Sequence, residues 1–209
     1  MRLQRAGEVQ CPAGIIALAI NKSVSHCGIV YTATSGAVRL CHLPIEGAIL
    51  VETLPKDYYW VAARLDAVEA LQIMVFIEFL LERNNKSVPY SFIYPTDGFD
   101  AVGRIRDGVG FTCSTFVSSI FDHFKYYIVE LTTWHERPKQ DLAFRTKIIK
   151  LARKYGYDAA ADRLRSEPMH FRLKPGELFG SATHNRYPVR FCQAKKFAKI
   201  VAKLFRKYA

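Results

Sequence analysis

Apolar positions along this chain follow two periods, and the change between them divides it. Residues 6–9 read as a first strand, and after Pro12 an apolar run at 13–20 completes the connection. Residues 23–31 and 37–43 are β-rich and flank a Thr34-Ser35-Gly36 turn, the pattern of a hairpin. A further β-like piece spans 47–54, ahead of Pro55. From Asp66 to Glu82 the period becomes helical, and Leu71, Met74, Val75, Ile77, Phe79 and Leu81 give a broad apolar surface, expected to make this the core helix. Residues 84–110 are rich in Gly, Pro, Asp and Asn and read as a long loop of the kind that often carries function.

The loop delivers the chain to Cys113, after which Phe116, Val117, Ile120, Phe121 and Phe124 recur at three- and four-residue steps. Cys113 is therefore expected at a helix N-terminus. Residues 126–131 fit either a strand or a helix tail. A basic amphipathic helix is predicted over 140–155, ended by Gly156, with a short second helix over 157–164. Residues 173–179 form a turn leading to a short element. The last helix, 195–208, sets Phe197, Ile200, Val201, Leu204, Phe205 and Tyr208 on one stripe and lysines and arginines elsewhere. Such a helix either docks on its own domain, the commoner outcome, or lies on a membrane.

Composition narrows the class of protein. A chain of 209 residues, half of them apolar, can bury a core of its own. The formal charge of +11 is concentrated in residues 139–209, which hold 18 Lys and Arg against 5 Asp and Glu. That field attracts anionic partners such as nucleic acid, acidic lipid or an acidic cell-wall polymer without choosing among them. Five scattered cysteines, Cys11, Cys27, Cys41, Cys113 and Cys192, are no disulfide framework and suit a reducing compartment. The longest apolar run, 70–81, falls short of the ~20 residues of a membrane span. The expectation is a cytoplasmic protein, with non-classical export or delivery left open.

The chemistry starts from Cys113. Unpaired amides and the positive end of a helix dipole favour a thiolate there. Strand parity puts His26, Gly28 and Val30 on one face and Cys27, Ile29 and Tyr31 on the other, and likewise separates His42 from Cys41. The two imidazoles then share a face while the neighbouring thiols point away, which argues against a converging zinc site. The assignment is Cys113 as nucleophile, His26 as general base and acid, and His42 as orienting group. Helix-start amides, with Tyr90 and Ser114 as oxyanion- and substrate-binding residues, complete the set; no metal and no cofactor is called for. A rival order pairs Cys113 with Pro175-Gly176-Glu177-Leu178 and His184, but no Gly-Ile-Val-Tyr strand follows His184. His123, His135 and His170 have no motif around them.

Together, Gly7-Glu8-Val9, the apolar run to Ile20, Ser25-His26-Cys27-Gly28-Ile29-Val30-Tyr31, Pro89-Tyr90 and Phe111-Thr112-Cys113-Ser114-Thr115-Phe116-Val117 resemble the circularly permuted papain-like hydrolases. These are the YiiX-type branch of the NlpC superfamily, related to the lecithin:retinol acyltransferase group. The likeness covers about residues 6–122. It departs from the family pattern at Glu8, where Asp is usual, and at Cys27, where an apolar residue is usual. It implies Cys113 in the nucleophile position, His26 in the base position, His42 in the third position and Tyr90 in the Pro-Tyr ahead of the nucleophile.

The resulting expectation is an α+β, permuted papain-like domain over 1–135, an antiparallel sheet packed on helices. A basic, mainly helical region over 136–209 packs on it or completes it. Its activity would be thiol-dependent hydrolysis of an amide or ester through an acyl-enzyme, with cell-wall peptide among the substrates. The alternatives are a lipid acyl hydrolase or acyltransferase at a membrane surface, and a non-catalytic module binding an anionic polymer. Nucleic acid is the weaker partner of these, since no nucleic-acid fold motif accompanies the charge.

Overall fold

The computed structural model describes residues 4–6, 12–33, 35–44, 47–84 and 87–207. Gly7-Glu8-Val9, Cys11, Thr34 and Tyr208, all used in the reading above, lie outside them. The protein is α+β. Six strands, β1 (Gln4–Arg5), β2 (Ala17–Asn21), β3 (Cys27–Thr32), β4 (Val38–His42), β5 (Leu50–Thr53) and β6 (Tyr58–Ala62), form one open antiparallel sheet in the order β1-β6-β2-β3-β4-β5. Strand β6 is absent from the sequence reading. Its Tyr58-Tyr59-Trp60-Val61 run is β-prone and lies in the short stretch between Pro55 and the helix cap at Asp66.

The helices are α1 (Ala67–Arg83), α2 (Cys113–His123), α3 (Pro138–Lys154), α4 (Asp158–Ser166), α5 (Pro175–Ala182) and α6 (Phe191–Lys207). Alternation along the strands separates two apolar layers. Leu18, Ile20, Cys27, Ile29, Cys41 and Val61 join the helices in the main core, while Ala17, Ala19, Val30, Leu40 and Trp60 gather on the opposite face.

The central helix is α2, not α1 as the apolar surface of residues 66–82 suggested. Every residue from Cys113 to Phe121 is buried, whereas α1 buries Ala70, Ile73, Phe76, Ile77 and Leu80 and leaves Val68, Leu71, Val75 and Phe79 exposed. Asp66 caps α1 through the amides of Val68 and Glu69 and receives Glu69 in return, which sets its start.

The C-terminal third enters the same core. Leu178 and Phe179 of α5 and Val201 and Phe205 of α6 belong to the main cluster, and the Phe205 ring stacks on Tyr59 of β6 at 4.3 Å. The apolar stripe of α6 is thus spent in part inside the molecule, through Val201 and Phe205, while Ile200 stays exposed. A smaller cluster joins Tyr90 and Phe92 of the long loop to Ile148 of α3 and Leu164 of α4. None of the described helices is long and apolar enough to cross a membrane.

Candidate active site

The chain reaches His26 through a tight β2–β3 connection. The Asn21 carboxamide oxygen accepts from the amides of Ser25 (3.0 Å) and His26 (3.1 Å), and Val24 takes a left-handed conformation at φ 57°. This side-chain staple fixes where His26 leaves the turn. Gly28 follows, opposite His42 in the continued register of β3 on β4. A Cβ at Gly28 would stand 2.7 Å from the Cys41 carbonyl oxygen and 2.9 Å from the His42 Cβ. The absence of a side chain there lets the two histidines close on one another.

They meet at 2.8 Å, His26 Nε2 to His42 Nδ1, with ring planes 83° apart. His42 Nε2 in turn lies 3.2 Å from Glu52 Oε1 on β5, within ion-pair distance but off the line of a good hydrogen bond. Burial first, and the neighbouring His26 second, hold the His42 imidazole below its ordinary pKa and favour its neutral form. A neutral His42 that accepts at Nδ1 carries its proton on Nε2, facing Glu52. That tautomer draws the Nε2 proton of His26.

Cys113 is the first residue of α2 and is 8% exposed. Thr112 and Thr115 cap the helix reciprocally: the Thr112 hydroxyl accepts from the Thr115 amide (3.2 Å) and the Thr115 hydroxyl from the Thr112 amide (2.8 Å). Among the described residues no acceptor takes the amides of Cys113 and Ser114, so two donors of the first turn stay free at the sulfur. The Cys113 thiol is held well below its ordinary pKa. The neighbouring Cys27 thiol contributes most, burial opposes, and the His26 imidazole and the Cys27 backbone add to the stabilisation. Cys27 moves the other way, pushed up by burial and by its neighbour. Of the two thiols Cys113 is thus the readier to ionise, and the helix start and the imidazole favour its negative charge.

The structure thus brings together His26, His42 and Cys113. Tyr90 is also at this place: Pro89 and Ser91 pair with Phe111 through Phe111 N–H to Pro89 O (2.9 Å) and Ser91 N–H to Phe111 O (3.3 Å), which lays Tyr90 beside the approach to Cys113. Burial first, and the Cys113 charge second, push its phenol up, so it stays a protonated donor. Ser114 follows Cys113 in the first turn of α2. Its hydroxyl is fully buried and meets the sulfurs of Cys27 (3.8 Å) and Cys113 (4.0 Å) rather than solvent, so only its amide is placed to face a substrate.

Two participants escaped the sequence reading. Cys27 was expected to point away from the imidazoles, and it does lie on the helix side of the sheet, but that side is where α2 presents Cys113. Glu52 lay unread in a β-like run, although Leu40 pairs with Glu52 and His42 with Leu50, a register that sets Glu52 diagonally from His42. The rival set does not assemble. Residues 175–178 open helix α5 instead of forming a strand, and His184 packs against Phe197 with its Nδ1 on Arg186. Of the remaining histidines, His123 stacks on Phe76, His135 meets Phe191 edge-on and His170 tilts against Phe171.

Among the described residues no group of three or more His, Cys, Asp or Glu side chains is arranged to hold a metal ion. No family model matches this chain, and neither a curated protein nor a solved structure shows significant similarity to it.

Proposed function

We propose that this protein is a cysteine hydrolase of the permuted papain-like kind, cleaving an amide or ester through an acyl-enzyme on Cys113. The observation that carries the reading is the His26–His42 contact of 2.8 Å beside a sulfur at the open start of α2. The Cys113 thiolate attacks the acyl carbonyl and forms a C–S bond. Negative charge then develops on the carbonyl oxygen, toward which the free amides of Cys113 and Ser114, with the Tyr90 hydroxyl, can donate. The imidazolium of His26 gives its proton to the leaving amine or alcohol as the C–N or C–O bond breaks. His26, now neutral, takes a proton from water, and the hydroxide equivalent releases the acid and restores the thiolate. His42 holds the His26 ring in the orientation and tautomer that these transfers need, in the manner of the third member of a triad.

The docking of α6 through Val201 and Phe205 supports the hydrolase over a membrane-lying acyltransferase, because these two apolar residues are buried against the domain. The test is acylation by a chromogenic acyl ester, read by intact mass and peptide mapping. Wild-type protein is expected to carry one acyl group on Cys113, absent from Cys113→Ala and slowed in His26→Ala. An adduct spread over all cysteines, or none on Cys113, would overturn the reading.

A further inference from the structure

Two thiols sit at the start of α2, where acyl transfer consumes only one. Cys113 opens the helix, and Cys27 reaches the same place from the first position of β3, on the side of the sheet that joins the main core. Both sulfurs meet a single hydroxyl, that of Ser114, at 4.0 Å from Cys113 and 3.8 Å from Cys27. The Cys113 sulfur also lies against the thiol and the backbone of Cys27. Of the other described cysteines, Cys41 is buried on β4, paired with Ile29, and Cys192 is exposed on α6.

A sulfur that ionises readily is the kind that hydroperoxides oxidise, and a second thiol beside it decides whether oxidation stops at a disulfide or runs on to the sulfinic and sulfonic acids. Cys113 is 8% exposed and Cys27 1%, so an oxidant as small as hydrogen peroxide meets Cys113 first. A disulfide asks the two sulfurs to close to about 2.05 Å, and each side chain has its own Cα–Cβ bond to turn about.

We propose that Cys27 is the resolving thiol for Cys113, and that hydroperoxides switch this site off reversibly through a Cys27–Cys113 disulfide. In the first step the Cys113 thiolate attacks the peroxide. An S–O bond forms, the O–O bond breaks, and the departing alkoxide or hydroxide takes a proton to give alcohol or water. The sulfur loses the two electrons that the peroxide gains. In the second step the Cys27 sulfur attacks the sulfenyl sulfur of Cys113, the S–S bond forms, the S–O bond breaks, and hydroxide leaves with the Cys27 proton as water. The nucleophile is then masked until a thiol reductant reopens the bond. The inference rests on the reading of Cys113 as the reactive sulfur and adds regulation to it.

An excess of hydrogen peroxide on the reduced full chain tests it, read by intact mass, non-reducing peptide mapping, and iodoacetamide labelling of Cys113 before and after dithiothreitol. The wild-type protein should lose two hydrogens, yield a peptide pair joined through Cys27 and Cys113, and regain most of its Cys113 labelling with reductant. In Cys27→Ala and Cys27→Ser, Cys113 should instead gain two or three oxygens, and the labelling regained should fall roughly tenfold. The wild-type peptide map decides even where a variant fails to fold. Oxygen gained on Cys113, or no change there, without the Cys27–Cys113 peptide overturns the switch, as does equal recovery in the variants. The hydrolase reading survives either result so long as iodoacetamide selects Cys113 in the reduced chain, whereas labelling spread evenly over the cysteines overturns both.

Discussion

Helices α2 and α5 start alike and end up with opposite tasks. Both begin inside the molecule and both hold an anionic group at the N-terminus, where the helix favours negative charge. At α5 the anion is the Glu177 carboxylate, 3% exposed, which accepts from the Lys174 amide at 3.1 Å and is closed off by Arg137. At α2 the anion is the Cys113 sulfur, with two amides left free, an imidazole beside it and a slightly more open position. The same electrostatics serves as a structural lock where an arginine closes off the anion and as a reactive centre where the anion keeps only an imidazole and thiol beside it. A Pro-Gly-Glu-Leu string followed by a histidine imitates a catalytic order in sequence, but the arginine that neutralises it comes from α3 and cannot be read locally.

The contrast can be broken in graded steps. His26→Ala should slow acylation of Cys113 by about 10²–10⁴-fold, the usual worth of a general acid–base group, measured by stopped-flow ester cleavage. At the other helix, Glu177→Gln should leave the chemistry of the folded enzyme intact and lower stability by about 3–5 kcal/mol, because Arg137 loses its buried partner; urea unfolding reads this. Gly28→Ala should separate the histidines, costing about 1–3 kcal/mol of stability from overpacking together with most of the esterase rate. Replacing Cys27 by Ala removes a thiol donor from the thiolate, and the Cys113 alkylation rate at pH 6 should fall roughly tenfold. The smallest effect belongs to Glu52→Gln. That carboxylate is half exposed and poorly aligned, so a roughly twofold loss in ester turnover is expected.

How much of this was legible beforehand follows from how local each signal is. His26 and His42 sit at fixed parity on neighbouring strands, and Cys113 opens an apolar helical period, so their types and faces could be read from short windows. Cys27 could not, because its role depends on which side of the sheet α2 covers. Glu52 needed the register of β5 on β4, and Tyr58–Ala62 needed a place between β1 and β2 that only the finished sheet supplies. The stripe of α1 misled for a similar reason: Leu71, Val75 and Phe79 are apolar at helical spacing, yet the buried side of the helix is the one through Ile73, Ile77 and Leu80.

The account stands most directly on the ionisation of one sulfur, which the pH profile of Cys113 alkylation by iodoacetamide measures. The thiolate should already react well below the ordinary range of a cysteine, because Cys27 and His26 stabilise it and hold its pKa down. Its rate should therefore hold up at pH values where that of a free thiol such as glutathione falls away, and His26→Ala should shift the Cys113 profile upward. A Cys113 profile that superimposes on that of the free thiol, unmoved by His26→Ala, would contradict it.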